Sequence, residues 1–285
     1  MGTRAHPSLF AGLVDDAAVF PPGLAPLPRA VEEHIAREAY RRYVGPLLVP
    51  AAAAVEVVSL ADGRALRLGL IARPGMPLEP VVEGARLLQE GVASGAHQVS
   101  LAGVEVGAAS DWKPLVELGV PVTVEIPREG RDDALEAVHQ AAVGRMGRPP
   151  IQAKLRTGAT ETWAWPDEHE VARFIEDCAV RSLPFKLTGG LHHILRADRG
   201  DGPQHGLLNI LAAVTVALDG GELDQLVEIL QEPSIEPVGS VVVPLLPDEA
   251  ERVRRAFTAY GCCDVLDPLR ELAEVGIIDP EPAPA

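Results

Sequence analysis

Residues 151–190 read IQAKLRTGATETWAWPDEHEVARFIEDCAVRSLPFKLTGG, and this stretch sets the fold class. Residues 151–155 and 184–188 are short apolar runs, the pattern of strands buried on both faces. Between them, residues 167–181 alternate charged and apolar positions at helical spacing. Strand, helix and strand within this distance form one βα unit, whose strands lie parallel and are joined by a right-handed crossover.

Working outward, the same pattern recurs. Strands are expected at 47–50, 66–72, 98–102 and 120–126, with helices at 78–93, 112–118 and 131–143. A helix is expected over 27–43, with Pro28 in its first turn and Gly45-Pro46 stopping it. Beyond His205 the order loosens: helices at 207–218 and 222–231, a strand at 240–243, a helix at 247–259, an eighth strand at 260–265 and a closing helix at 267–274. The expected architecture is an α/β fold, a (β/α)8 TIM-type barrel with an irregular seventh unit, covering 1–280 as one domain. An open doubly wound parallel sheet is the alternative. Residues 1–26 read as an N-terminal extension packing on the barrel, and 281–285 as a frayed tail.

Composition narrows the function classes. The chain has 285 residues, 47% hydrophobic and 23% charged, and a formal charge of −16. That charge repels phosphate backbones and anionic lipid, so neither nucleic acid nor membrane is an expected partner. No run reaches the roughly 18–20 apolar residues of a membrane span. The apolar SLFAGLV near the start runs into Asp15 and Asp16 and does not read as a signal peptide, so a cytoplasmic location is expected. Cys178, Cys262 and Cys263 are too few for a disulfide framework. No glycine-rich nucleotide fingerprint is present, so no cofactor is assigned. The expected partner is a small-molecule substrate, in a chain compatible with a homo-oligomer.

Of 25 basic residues only three are lysine, and two of them, Lys154 and Lys186, lie at the ends of the strands quoted above. A lysine amine can be desolvated, deprotonated and used as nucleophile or base, which arginine cannot. The carboxyl ends of barrel strands are also where such folds place their chemistry. After Lys154 come Arg156, Thr157 and Gly158; after Lys186 come Thr188, Gly189, Gly190, His192 and His193. These offer a guanidinium, hydroxyls and unhindered amides to an anion, and imidazoles that titrate near neutrality. On neighbouring strands the two lysines would share one pocket and each would lower the other's pKa, favouring a free amine.

The segments Lys154-Leu155-Arg156-Thr157-Gly158 and Lys186-Leu187-Thr188-Gly189-Gly190 resemble the class I aldolase barrels, deoxyribose-phosphate aldolase above all. There, one strand ends in a KTSTG-like segment carrying a Schiff-base lysine, and the next ends in a K-x-x-G-G-like segment whose lysine tunes it. The resemblance implies Lys154 as the Schiff-base residue and Lys186 as its modulator. It also implies an acidic proton relay on an earlier strand, for which Glu125 in VTVEIP is the nearest candidate. Arg156 departs from the small residue of the aldolase pattern. A wider resemblance, over most of the chain, is to an uncharacterised bacterial family with D-Y-A-G-L-F-P-P, K-L-R-T-G-G, P-F-K-A-T-A-G-L-H-H, H-G-F-L-N and G-S-C-S-F-x-E-P segments. The matching stretches here are 16–22, the two lysine segments, 205–209 and 261–268, with departures at Ala17 and at Cys262-Cys263-Asp264. This second resemblance implies a shared fold.

Other residues carry two readings each. His192, His193, His205, Cys262 and Cys263 have the ligand chemistry of a zinc site without a recognised spacing, so no metal residue is assigned. His205 and Asn209 fall on one helix face and either close the pocket or cap the helix. Arg156 either binds a substrate anion or pairs with Glu161 or Glu125. Trp163 and Trp165 form a lid or pack at a helix entry. Asp15 and Asp16 read as part of a structural plug, with Asp16 as a second acid candidate. Glu168 and Glu170 read as a solvated helix face.

Together these readings give a lysine-dependent enzyme of the class I aldolase-like lyase kind, acting on a small anionic carbonyl or sugar-phosphate compound. Lys154, Lys186, His192 and His193 are the catalytic candidates. Glu125, Arg156, Thr157, Gly158, Thr188, Gly189, Gly190, His205 and Asn209 are the substrate-binding candidates. A zinc-dependent hydrolase or lyase and a non-catalytic metabolite- or partner-binding barrel are the alternatives.

Overall fold

The computed structural model describes residues 4–145, 147–160, 163–198 and 202–280. The tail at 281–285, and Glu161 as a partner for Arg156, fall outside them. In chain order the strands are β1 (Val14–Asp16), β2 (Val44–Pro50), β3 (Leu66–Ile71), β4 (Val99–Gly107), β5 (Val122–Glu125), β6 (Ile151–Arg156), β7 (Phe185–Thr188), β8 (Ala197–Asp198), β9 (Pro203–Gln204) and β10 (Phe257–Cys262). Eight of them close into a barrel in the order β1-β10-β7-β6-β5-β4-β3-β2, while β8 and β9 form a small antiparallel pair. The helices are α1 (Leu27–Ala36), α2 (Ala54–Ala61), α3 (Glu79–Ser94), α4 (Arg131–Ala142), α5 (Glu168–Val180), α6 (Leu207–Leu218), α7 (Leu223–Gln231), α8 (Ile235–Val242), α9 (Pro247–Ala256) and α10 (Leu266–Glu274). The fold is thus the expected (β/α)8 TIM-type barrel. None of the helices among the described residues is long and apolar enough to cross a membrane.

Three expected elements change. The start of the chain supplies the first barrel strand, β1, and is not merely an extension packing on the barrel. The strand expected at 240–243 is the end of helix α8, where Val238 and Val242, four residues apart, bury one helical face. A β-branched run reads as strand by propensity, but one-sided burial at helical spacing prevails. The first helix ends at Ala36, and Tyr40 beyond it takes a left-handed conformation.

The chain packs as two compact units, one comprising Asp15–Arg37 and Gly45–Lys154, the other the residues up to Val14, Glu38–Val44 and Leu155 onward. In the first, parallel pairing sets Glu105 beside Thr123, Thr123 beside Gln152, and Glu125 between Gly107 and Lys154. Residues paired in register point to the same side of a sheet, and their sequence neighbours to the other. One side is therefore Val104, Val106, Val122, Val124, Ile151 and Ala153, buried like Val81, Ala85 and Leu88 of α3. Each valine, leucine or isoleucine among them contributes about 1.5–3 kcal/mol through burial. The opposite side, which carries Glu105, Thr123, Glu125, Gln152 and Lys154, faces the barrel interior.

In the second unit, Phe185 meets Phe174 edge-on and stacks on Phe257, both at 5.4 Å between ring centroids. Helix α6, LLNILAAVTVAL, is buried from Leu207 to Thr215 and packs against α5, α7, α8 and α9. A helix apolar all round needs cover on every side, which accounts for the extra helices between β7 and β10.

Candidate active site

The Lys154 amine lies 2.8 Å from Glu105 Oε2 and 2.9 Å from Glu125 Oε2. Lysine and Glu105 are each 4% exposed. β4 and β6 flank β5, so their side chains reach one another only on the concave face. In the adjacent layer Gln152 Nε2 donates to Thr123 Oγ1 at 2.7 Å. Such layers are ordinarily filled by branched aliphatic side chains, and five polar ones in their place mark this interior as something other than packing.

Burial by itself would lower the Lys154 pKa, but the charges and hydrogen bonds of Glu105 and Glu125 outweigh it, leaving the amine above the ordinary lysine value. This corrects the expected free amine: Lys154 rests as an ammonium, because its immediate neighbours are anions. Glu125 is where the sequence pointed. Glu105 was missed, because the strand expected to stop at residue 102 continues to Gly107. The signal that could have found it is GVEVG, a lone carboxylate between valines on a strand, repeated as TVEIP around Glu125.

Lys186 is buried on β7, the strand following β6 in the barrel order. The segments after the two lysine strands are fastened to each other. The Thr157 amide donates to the Thr188 carbonyl at 2.8 Å, and its hydroxyl donates to the Gly189 carbonyl at 3.1 Å. A Cβ on Gly158 would collide with the Gly189 carbonyl, so glycine there permits backbone contact between loops. Thr157 and Gly158, expected to hold a ligand oxygen, thus serve the loop junction. Gly190, at φ +120°, lies under the Trp165 ring, whereas Trp163 is exposed. The Arg156 guanidinium packs beside Gly189.

His192 and His193 diverge. His193 Nδ1 is 2.5 Å from Glu271 Oε1, and the same carboxylate accepts the Ile194 amide, tying this loop to α10. His192 instead joins the cysteines. Its Nε2 is 3.4 Å from Cys263 Sγ, and its Nδ1 is 3.3 Å from Asp267 Oδ2 and 3.7 Å from Cys262 Sγ. The two sulfurs address opposite edges of one ring, so they cannot converge with it on one ion. No group of three or more His, Cys, Asp or Glu among the described residues is placed to hold a metal.

His205 and Asn209, read either as closing the pocket or as capping a helix, both make hydrogen bonds within the fold. His205 is buried, with Nε2 2.8 Å from the Pro166 carbonyl oxygen; burial lowers its pKa and keeps it neutral. Asn209 accepts the Arg196 amide and donates to the carbonyls of Ile229 and Glu232. It has no exposed surface and so joins a loop to the end of α7. Glu168, expected on a solvated face, is buried and paired with Arg196 at 3.0 Å. Asp16, on β1, is buried against His34 at 2.9 Å and Arg37 at 3.5 Å.

Fold and site together define a TIM-type barrel protein with an ion-paired lysine in its interior. Comparisons with protein-family models, with curated proteins and with solved structures found no match to this chain.

Proposed function

We propose that the protein is a lysine-dependent enzyme acting on a small anionic carbonyl or sugar-phosphate compound, by carbon–carbon lysis, condensation or isomerisation. The observation that carries this reading is Lys154, buried in the barrel interior between Glu105 and Glu125. A buried ion triad is a poor device for stability, since a well-packed apolar cluster of similar volume does as well or better. It is a good device for proton transfer. The ammonium can polarise a carbonyl oxygen while a carboxylate removes an adjacent proton. Alternatively, one carboxylate takes the ammonium proton and the free amine adds to the carbonyl carbon, losing water to give an iminium ion. Glu105, like Glu125, would supply an acid on an earlier strand, the part that the aldolase resemblance implies.

The chemistry uses no cofactor. Its setting in this reading is cytoplasmic, and the formal charge of −16 favours a small molecule over nucleic acid or an anionic membrane.

The test is intact-protein mass after borohydride reduction with a panel of aldehydes, ketones, 2-oxo acids and sugar phosphates. An adduct on the native chain that is lost in Lys154→Met supports the Schiff-base branch and gives the substrate class by mass. An adduct that persists in Lys154→Met overturns the assignment. If no adduct forms, exchange of substrate α-hydrogens in deuterium oxide reads the acid–base branch, and its absence as well overturns the reading.

A further inference from the structure

A second group of reactive side chains stands apart from Lys154 in its residues and in its chemistry. β10 ends at Cys262, and Cys263 follows immediately, half-buried, with the start of α10 supplying Asp267. The loop after β7 brings His192 between them. Its Nε2 meets Cys263 Sγ at 3.4 Å and its Nδ1 meets Asp267 Oδ2 at 3.3 Å, so thiol, imidazole and carboxylate stand in line. An Nδ1–H donated to Asp267 leaves Nε2 as the basic nitrogen, turned to the Cys263 thiol. The neighbouring cysteine is held differently. Cys262 is 1% exposed, and its thiol donates to the Asp264 carbonyl at 3.1 Å, which keeps its proton engaged.

We propose that Cys263 is a nucleophilic thiol, activated by His192 and oriented through Asp267, and that it takes small carbonyl-conjugated alkenes. The Cys263 proton passes to His192 Nε2 as Sγ bonds the β-carbon of the alkene. The π pair moves onto the carbonyl, and the enolate takes the proton back from Nε2 at its α-carbon. Every atom of both reactants is kept, and no oxidant or leaving group is needed. A relay that returns the proton from the nitrogen that took it suits addition. This inference does not rest on the reading of Lys154.

The hydrogen bond with Cys263 raises the His192 pKa, burial opposes it, and Asp267 adds to the rise. The charged and titratable groups facing the ring are therefore Cys263, Cys262 and Asp267. Beside them lie the His193–Glu271 pair and, beneath Cys262, the buried Tyr260 hydroxyl, whose own pKa burial raises.

N-ethylmaleimide is the probe, with adducts counted by intact mass and located by peptide mapping. At about pH 6.5 Cys263 should react roughly tenfold or more faster than N-acetylcysteine, with a rate nearly flat up to about pH 8. His192→Gln should slow it about tenfold or more, and Asp267→Asn should move the rate profile towards that of the free thiol. Cys178, 1% exposed on α5, is the internal reference for an inert thiol. A Cys263 rate that climbs about tenfold per pH unit alongside N-acetylcysteine overturns the proposal. So does a native chain in which Cys263 stays unlabelled while the denatured chain labels fully. Should His192→Gln fail to fold by circular dichroism, the native profile and Asp267→Asn decide.

Discussion

The Lys154 group and the His192 group show two ways in which one chain holds reactive side chains. Lys154, Glu105 and Glu125 project from three consecutive strands, so their distances follow from the register of the sheet and their charges are nearly out of water. His192, Cys263 and Asp267 come from a loop, a strand end and a helix start, and remain partly exposed. In the first group carboxylates fix the protonation of a buried cation. In the second a partly exposed ring joins a thiol to a carboxylate. Strand register gives precision at the cost of access; loops give access with looser geometry.

The largest effect should fall on the strand-built group. Lys154→Met leaves the buried Glu105 and the largely covered Glu125 without their cation and should lower stability by about 3–5 kcal/mol, read by urea unfolding. Adding Glu105→Gln and Glu125→Gln removes the stranded charges and should return much of that loss. If the single variant is as stable as the native chain, the carboxylates are better solvated than their burial implies. Asn209→Ala deletes three hydrogen bonds to backbone and should cost about 2–4 kcal/mol in the same measurement, a loss that a surface position would not show.

Gly158→Ala comes next. It drives a methyl into the Gly189 carbonyl and should cost about 1–3 kcal/mol, while leaving the chemistry of Lys154 itself in place. An unchanged unfolding midpoint would mean that the two loops separate freely.

The smallest effects are those of pH, and here the two histidines have opposite signs. His205 has a lowered pKa in the folded chain, so the unfolded state binds more protons. Its contribution is complete above the ordinary imidazole value and is lost as pH falls from there through the folded value. His192 has a raised pKa, so its contribution is complete below the ordinary imidazole value and is lost as pH rises through the folded value. Unfolding free energies at mildly acidic and mildly alkaline pH, for the native chain, His205→Gln and His192→Gln, should separate the two slopes. A common slope for both variants would break the contrast.

Much of the barrel was legible because βα units carry local signals. The runs at 151–155 and 184–188 alternate with a helix whose charged and apolar residues keep its period, and the observed β6, α5 and β7 lie within a few residues of these bounds. Less local features were harder to read. β1 is only Val14–Asp16, too short for periodicity to register, and it is a strand because its neighbours in the closed barrel, β10 and β2, pair with it. Residues 240–243 look like a strand in isolation and are helical because α6 requires cover. Of the site, Lys154 and Glu125 were visible as charged residues at strand ends, and His192 as an imidazole beside glycines. Glu105 fell beyond the expected end of its strand, and Asp267 and Glu271 lie in the expected closing helix, where no spacing pattern singled them out.

The sequence by itself determined the alternation of strands and helices, the scarcity of lysine and the acidic balance, because each is a property of composition or of neighbours along the chain. Only the tertiary structure decided that Lys154 rests as a cation, that Thr157, His205 and Asn209 serve the backbone, and that Cys263 faces His192. Protonation and hydrogen-bond partnership depend on groups distant in sequence and close in space, at separations of a few ångströms that pattern along the chain cannot specify.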